Sequence, residues 1–318
     1  MKKALVILVV MAIVSAVFLV GCENSKGTEN LRIGIIQFAP HPSLDNCRDG
    51  FVNTMKAHGF TEDTVTYDIQ NANADMNLAN TIAQKMVADA CDLIVGIATP
   101  AAQAAFNAAI DTDIPIIFIA VSNPVAAGLS GHSNVTGVSD VLQVDEQIDL
   151  IKALLPEAKT VGVLFNNGEV NSVNQVEMLG ESAAKSGFGF ETATVANVSD
   201  VMLALESLLT KIDVLVNVLD NTVVSAMPSI ADRCAEAGIA IIGSEEEQVR
   251  NGALASSGFD YTDVGSQGAD LAKRILDGER NINFELVKET QVTINEAVVQ
   301  ALGINVPEEL AAVAEFVK

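Results

Sequence analysis

Short polar clusters interrupt a chain that is 49% hydrophobic. Thr99-Pro100, Ser122-Asn123, Asn166, Glu169, Asn171-Ser172 and Asp220-Asn221-Thr222 each follow closely on an apolar, β-branched run. Amides and hydroxyls of this kind hold a small polar molecule through neutral hydrogen bonds. A carboxylate such as Asp220 or Glu169 holds an ammonium group through a charge-assisted bond, about twice as strong. Thr99 and Ser122 stand where helices begin, so backbone N–H groups beside their hydroxyls suit a carboxylate. Some of these residues also suit capping. Thr99 reads as an N-cap with proline at the first helical position, and Ser244 with Glu247 reads as a capping box. Glu245-Glu246-Glu247 reads as a solvated acidic helix start. Gln37, Phe38 and His41 follow the first apolar run, where His41 offers a polar or stacking contact.

Bond-breaking chemistry finds no support. The chain has no Walker loop, no GxSxG elbow, no HExxH and no CxxC pair, and His41 stands in no recognised nucleophile–base motif. No metal and no cofactor are expected. Cys47, Cys91 and Cys234 lie at no metal-ligand spacing and read as small buried hydrophobes. With 18 basic residues against 41 acidic ones, a net charge of −23, the surface repels nucleic acid.

The elements that must position these clusters alternate regularly. Apolar runs at 31–37, 64–69, 92–97 and 116–121 read as strands, with helical spacing at 43–58, 74–90 and 101–110 between them. The pattern restarts with strands at 160–165, 188–195, 213–219 and 240–243 and helices at 170–186, 200–209 and 223–237. A short strand at 253–257 and a helix at 260–276 follow, and 292–301 closes the chain. Continuously apolar strands separated by helices indicate parallel sheets covered on both faces. Gly34 pairs with Gly162, Asp92 with Asp213, and Ile116-Ile117 with Ile241-Ile242, at offsets of 121 to 128 residues. The expected fold class is therefore α/β, with two similar doubly wound parallel-sheet lobes, a hinge and an interlobe cleft. Ligands of such sheets bind outside the carboxyl ends of the strands. That is where the polar clusters stand.

The N-terminus sets the compartment. Lys2-Lys3, an apolar stretch at 4–20 and Leu19-Val20-Gly21-Cys22 have the order of a secretory signal. The last four residues resemble the lipobox of bacterial lipoproteins, which implies cleavage before Cys22 and lipidation of its sulfur. Residues 1–21 are then a signal peptide and 22–30 a polar tether. The expected location is extracytoplasmic, anchored to the cell membrane by lipidated Cys22.

The segments IGIIQFAPHPSLDNCRDGF, GIATPAAQAA, IFIAVSNPVAAGL, LFNNGEVNSVNQVE, LDNTVVSA and GSEEEQVRNGALASSGFDYTDVGSQGADLAKRIL together resemble the ABC-transporter substrate-binding lipoproteins of the tryptophan/tyrosine type. The match runs in order over nearly all of the mature chain. It implies a type I periplasmic-binding fold, an ABC permease and ATPase as partners, and a ligand that is often an aromatic amino acid. It also implies three hinge crossings, near 122–140, 256–260 and 284–291. The lobes expected from these crossings are 31–122 with 256–284, and 123–255 with 285–318. In this frame Thr99 and Ser122 take a carboxylate, and Asp220, with Glu169, takes the ammonium. Phe38, His41 and Phe259 line a side-chain pocket, with Asp260 beside them. A lipid-anchored sensor feeding a receptor, a sugar- or nucleoside-binding homologue and an enzyme of unknown type stay open as alternatives.

Overall fold

A computed structural model describes residues 30–287 and 290–318. The expected signal peptide, Cys22 and nearly all of the expected tether lie outside the described residues. Two parallel-sheet α/β lobes are present, as the alternation required. The first begins β1 (Leu31–Gln37), α1 (Pro42–Ala57), β2 (Val65–Asn71), α2 (Met76–Ala88), β3 (Leu93–Ile97), α3 (Thr99–Ala109), β4 (Ile116–Ile119) and β5 (Val135–Ser139). The second runs through α4 (Val144–Leu154), β6 (Thr160–Asn166), α5 (Val170–Lys185), β7 (Gly189–Val195), α6 (Val201–Leu209) and β8 (Val214–Val216). It continues with α7 (Asn221–Val224), α8 (Met227–Ala237), β9 (Ala240–Gly243), α9 (Glu246–Arg250) and β10 (Ala255–Gly258). The chain returns to the first lobe for α10 (Tyr261–Leu276) and β11 (Glu285–Leu286). It ends in the second with β12 (Gln291–Asn295), α11 (Glu296–Leu302), α12 (Glu308–Ala311) and β13 (Glu315–Val317).

The first sheet has the order β11-β5-β4-β3-β1-β2 and the second β13-β12-β10-β9-β8-β6-β7. Pairing is parallel except between β10 and β12. Strand membership corrects the expected lobe ends. Val135–Ser139 and Glu285–Leu286 belong to the first sheet, not the second, and Ser256–Gly258 to the second, not the first. The chain passes between sheets after Ser139, after Gly258 and after Leu286. The run at 223–237 divides into α7 and α8, with Pro228 in the first turn of α8. Residues 292–301 divide into a strand and a helix.

The internal repeat has a physical basis. Asp92 Oδ2 accepts the backbone N–H of Arg32 at 2.8 Å, and Asp213 Oδ2 accepts those of Lys159 and Thr160 at 2.8 and 2.9 Å. Each aspartate thus ties the start of the leading strand in its lobe. The first lobe buries one apolar cluster, whereas the second has one on each face of its sheet. Helices α1 and α10 pack closely enough that a Cβ on Gly265 would stand 2.0 Å from the Cys47 carbonyl oxygen. Cys47, Cys91 and Cys234 are free and buried. Among the described residues no helix is long and apolar enough to cross a membrane.

Candidate functional site

The strands of both sheets aim their carboxyl ends at one another, and the lobes are closed across the gap. Asn46 donates to Glu247 at 3.0 Å, Asn123 to Asn174 at 3.1 Å, and Gln175 to the Ser122 hydroxyl at 2.9 Å. Between them lies a cleft with ≈ 360 Å³ of unfilled space, part of it open to solvent. The chain leaves β3 and β4 through Ala98 and Ala120, both at positive φ, 77° and 57°. This geometry costs about 1–2 kcal/mol for a residue with a Cβ. It places Thr99 and Ala120 on the cavity wall.

Of the expected site residues, the structure brings His41, Thr99, Ser122, Asn171, Asp220 and Asn221 to the cavity. Thr99 is not the N-cap: that position is Ala98, so Thr99 and Pro100 are the first two helical residues and no side chain caps α3. His41 caps nothing either, and its ring faces the cavity from the start of α1. Burial is the main cause that holds its pKa down to about 4; Asn221 and Asp45 oppose it weakly, Asn221 lying outside hydrogen-bonding geometry.

Other expected residues build the walls rather than line them. Gln37 bonds Ala39, Asp45 and Arg48, which fixes the loop before α1. Phe38 belongs to the first core. Asn166 receives the Gly168 N–H and donates to Thr222. Glu169 is saturated. Its carboxylate accepts the backbone N–H and amide of Asn221, the N–H and hydroxyl of Thr222, and the Asn171 amide, at 2.6 to 3.3 Å. It therefore assembles α7 instead of waiting for an ammonium. Ser172 sits buried beside it and donates no bond to the cavity. Asp260 caps α10 through the Thr262 N–H, and with Phe259 it borders a separate groove.

Three residues that sequence reasoning missed change the character of the site. Asp140, Glu245 and Tyr261 are buried and line the cavity. Glu245, not Ser244, is the N-cap of α9, accepting the N–H groups of Glu247 and Gln248 at 2.7 and 3.0 Å. The acidic run thus has one buried member. Burial pushes Glu245 up to about 7 and Asp140 up to about 6. Asp220 is raised too, by burial first and by the charge of Glu169 second. No lysine or arginine among the described residues lines the cavity to balance these acids.

The cavity is also unfinished in its hydrogen bonding. Both ring nitrogens of His41, the Ser43 hydroxyl, Asp140 Oδ1, Asn171 Oδ1 and Gln248 Nε2 are buried without a partner, and all five residues face the same space. An orphaned buried polar atom costs about 1–3 kcal/mol. Six such atoms converge on this one cavity.

Sequence comparison then decides the family. The profile described as ABC transporter substrate binding protein matches residues 32–318. This chain belongs to that family. As a family member it is an extracytoplasmic binding protein that takes a small molecule and works with an ABC transporter. A tyrosine-binding protein of Clostridioides difficile is 39% identical over 95% of this chain and 93% of its own length. A protein from Streptococcus pneumonia in complex with L-Trp is 33% identical, covering 91% of this chain and all of its own, at TM-score 0.87. A ligand-free, open substrate-binding protein from Clostridium difficile is 40% identical over 91% of this chain and 99% of its own, yet reaches only 0.66. Despite the higher identity to the open, ligand-free form, this chain superposes better on the tryptophan complex.

Proposed function

We propose that the chain is a lipid-anchored receptor for an aromatic α-amino acid, delivering it to an ABC importer without turning it over. The observation that carries this reading is the convergence of unpartnered polar atoms on an acidic closed cavity that lacks a basic residue. A zwitterion answers both needs. Its ammonium meets the carboxyls, and its carboxylate meets Thr99, Ser122 and the uncapped start of α3. Its side chain reaches toward Leu44, Leu219, Val224 and Tyr261, with His41 and Gln248 as polar contacts. The relatives that carry tyrosine or tryptophan support the aromatic class.

Calorimetric titration with tyrosine, tryptophan, leucine and a hexose tests the ligand. Micromolar or tighter binding of an aromatic amino acid is expected; binding of the hexose alone would sink the reading. The anchor is tested separately. Cys22→Ala is expected to release most of the protein from membranes into the soluble fraction, because each lost methylene forfeits about 0.8 kcal/mol of membrane affinity. Retention in the membrane after that change would mean another attachment.

A further inference from the structure

We propose that Asp140 is the anchor for the ligand's ammonium, and that it ties the bound cation to the segments joining the two lobes. The assignment rests on the amino-acid reading above.

Four acidic residues are buried around the cavity: Asp140, Glu169, Asp220 and Glu245. Their oxygens are not equally free. Glu169 is saturated by five donors. Asp220 gives one oxygen to the Asn166 N–H at 2.6 Å and the other to the Val223 N–H at 2.8 Å. Glu245 spends one on Glu247 and one on Gln248. Among these four, Asp140 alone keeps an oxygen with no partner in hydrogen-bonding geometry: Tyr261 donates to Oδ2 at 2.6 Å, and Oδ1 is buried, the nearby Ser122 hydroxyl lying outside that geometry. An ammonium has three donors, and a carboxylate oxygen with no donor yet on it offers the most acceptor capacity to one of them. In a closed cavity such a bond is charge-assisted and poorly screened.

The position of Asp140 adds a second consequence. It follows β5 directly, so it is the first residue of the passage from the first sheet to the second. Tyr261 opens α10, just after the chain returns from β10. The Tyr261–Asp140 bond therefore joins two of the three crossings at the cavity floor. A cation on Oδ1 holds that joint from inside, whereas Asn171, through its unpartnered Oδ1, meets the ligand from the second lobe. Occupancy and lobe closure then share one carboxylate.

The test compares the mature wild type with Asp140→Asn by calorimetry. The probes are tyrosine and tryptophan, and the same molecules lacking the ammonium, 3-(4-hydroxyphenyl)propionate and 3-(indol-3-yl)propionate. Wild type should prefer the amino acid to its deaminated counterpart by about 10- to 100-fold. In Asp140→Asn the amino acid should weaken by a similar factor while the deaminated ligand changes little, so the preference collapses. Wild type that binds tyrosine or tryptophan, with Asp140→Asn keeping the full preference, overturns the assignment alone. Wild type that binds neither amino acid overturns the amino-acid reading and the assignment with it. Should Asp140→Asn fail to fold, a crystal structure of the wild-type complex decides: the ammonium nitrogen within hydrogen-bonding distance of Asp140 Oδ1 supports the assignment. A nitrogen held by Asp220 or Glu245 alone overturns it.

Discussion

Glu169→Ala is expected to abolish ligand binding and to destabilise the second lobe by about 3–5 kcal/mol, the range for breaking a buried charged network from one side. The carboxylate gathers donors from Asn171, Asn221 and Thr222, which come from α5 and α7. Removing it orphans several of them at once, and each buried orphan costs about 1–3 kcal/mol. Part of the loss is offset, because Asp220 is freed from the neighbouring charge that helps to raise it. The net effect remains a loss, since α7 has only four residues and depends on outside acceptors. Glu169→Gln keeps one acceptor oxygen and should lose less. Thermal unfolding without ligand, beside calorimetry, checks the claim. A variant that unfolds like wild type and merely binds weakly would make Glu169 a ligand contact, as the sequence first suggested, and not the organiser of the wall.

That contrast shows where sequence reasoning carries and where it stops. The paired landmarks were readable because a repeat fixes local jobs: Asp92 and Asp213 both tie a strand start. Strand ends were readable too, which is why six expected residues reach the cavity. β5 was not. Its sequence, VTGVS, has only two apolar side chains and a central glycine. Gly137 looks like a breaker, yet a Cβ there would stand 1.9 Å from the Phe118 carbonyl oxygen, so the strand needs it. Missing β5 meant missing Asp140, the residue at its end. Glu245 was hidden differently, inside three consecutive glutamates whose charge suggests solvent. Only Glu245 is buried, because the N-cap position turns its carboxylate onto the helix start. Glu169 and Asp220 are both buried carboxylates, but their roles differ by which oxygens are already taken. That is a matter of tertiary hydrogen bonding, and no spacing rule reports it.

Ligand binding should release protons near pH 6–7, and the ligand-free protein should be most stable on the acidic side of neutral. Asp140, at about 6, and Glu245, at about 7, have folded pKa values above those of free carboxyls, and Asp220 is raised in the same direction. A carboxyl raised by folding contributes stability that is complete below its unfolded pKa, about 4, and lost as pH rises through its folded value. His41 has the opposite course. It is depressed to about 4 from 6.5, so its contribution is complete above 6.5 and falls as pH drops from there toward 4. Three carboxyls outweigh one histidine, so the stability of the ligand-free protein falls from about pH 4 to pH 7, with Tm lower by roughly 3 °C or more at pH 7 than at pH 5 and level above pH 7. An ammonium in the cavity favours the ionised carboxylates and drives their protons out. Titrations at pH 6.5 in buffers of different ionisation enthalpy should therefore give heats that differ by the protons released, and saturating tyrosine should flatten the fall in Tm. Equal heats in all buffers would mean that no cation meets these acids, which favours a neutral ligand such as a sugar.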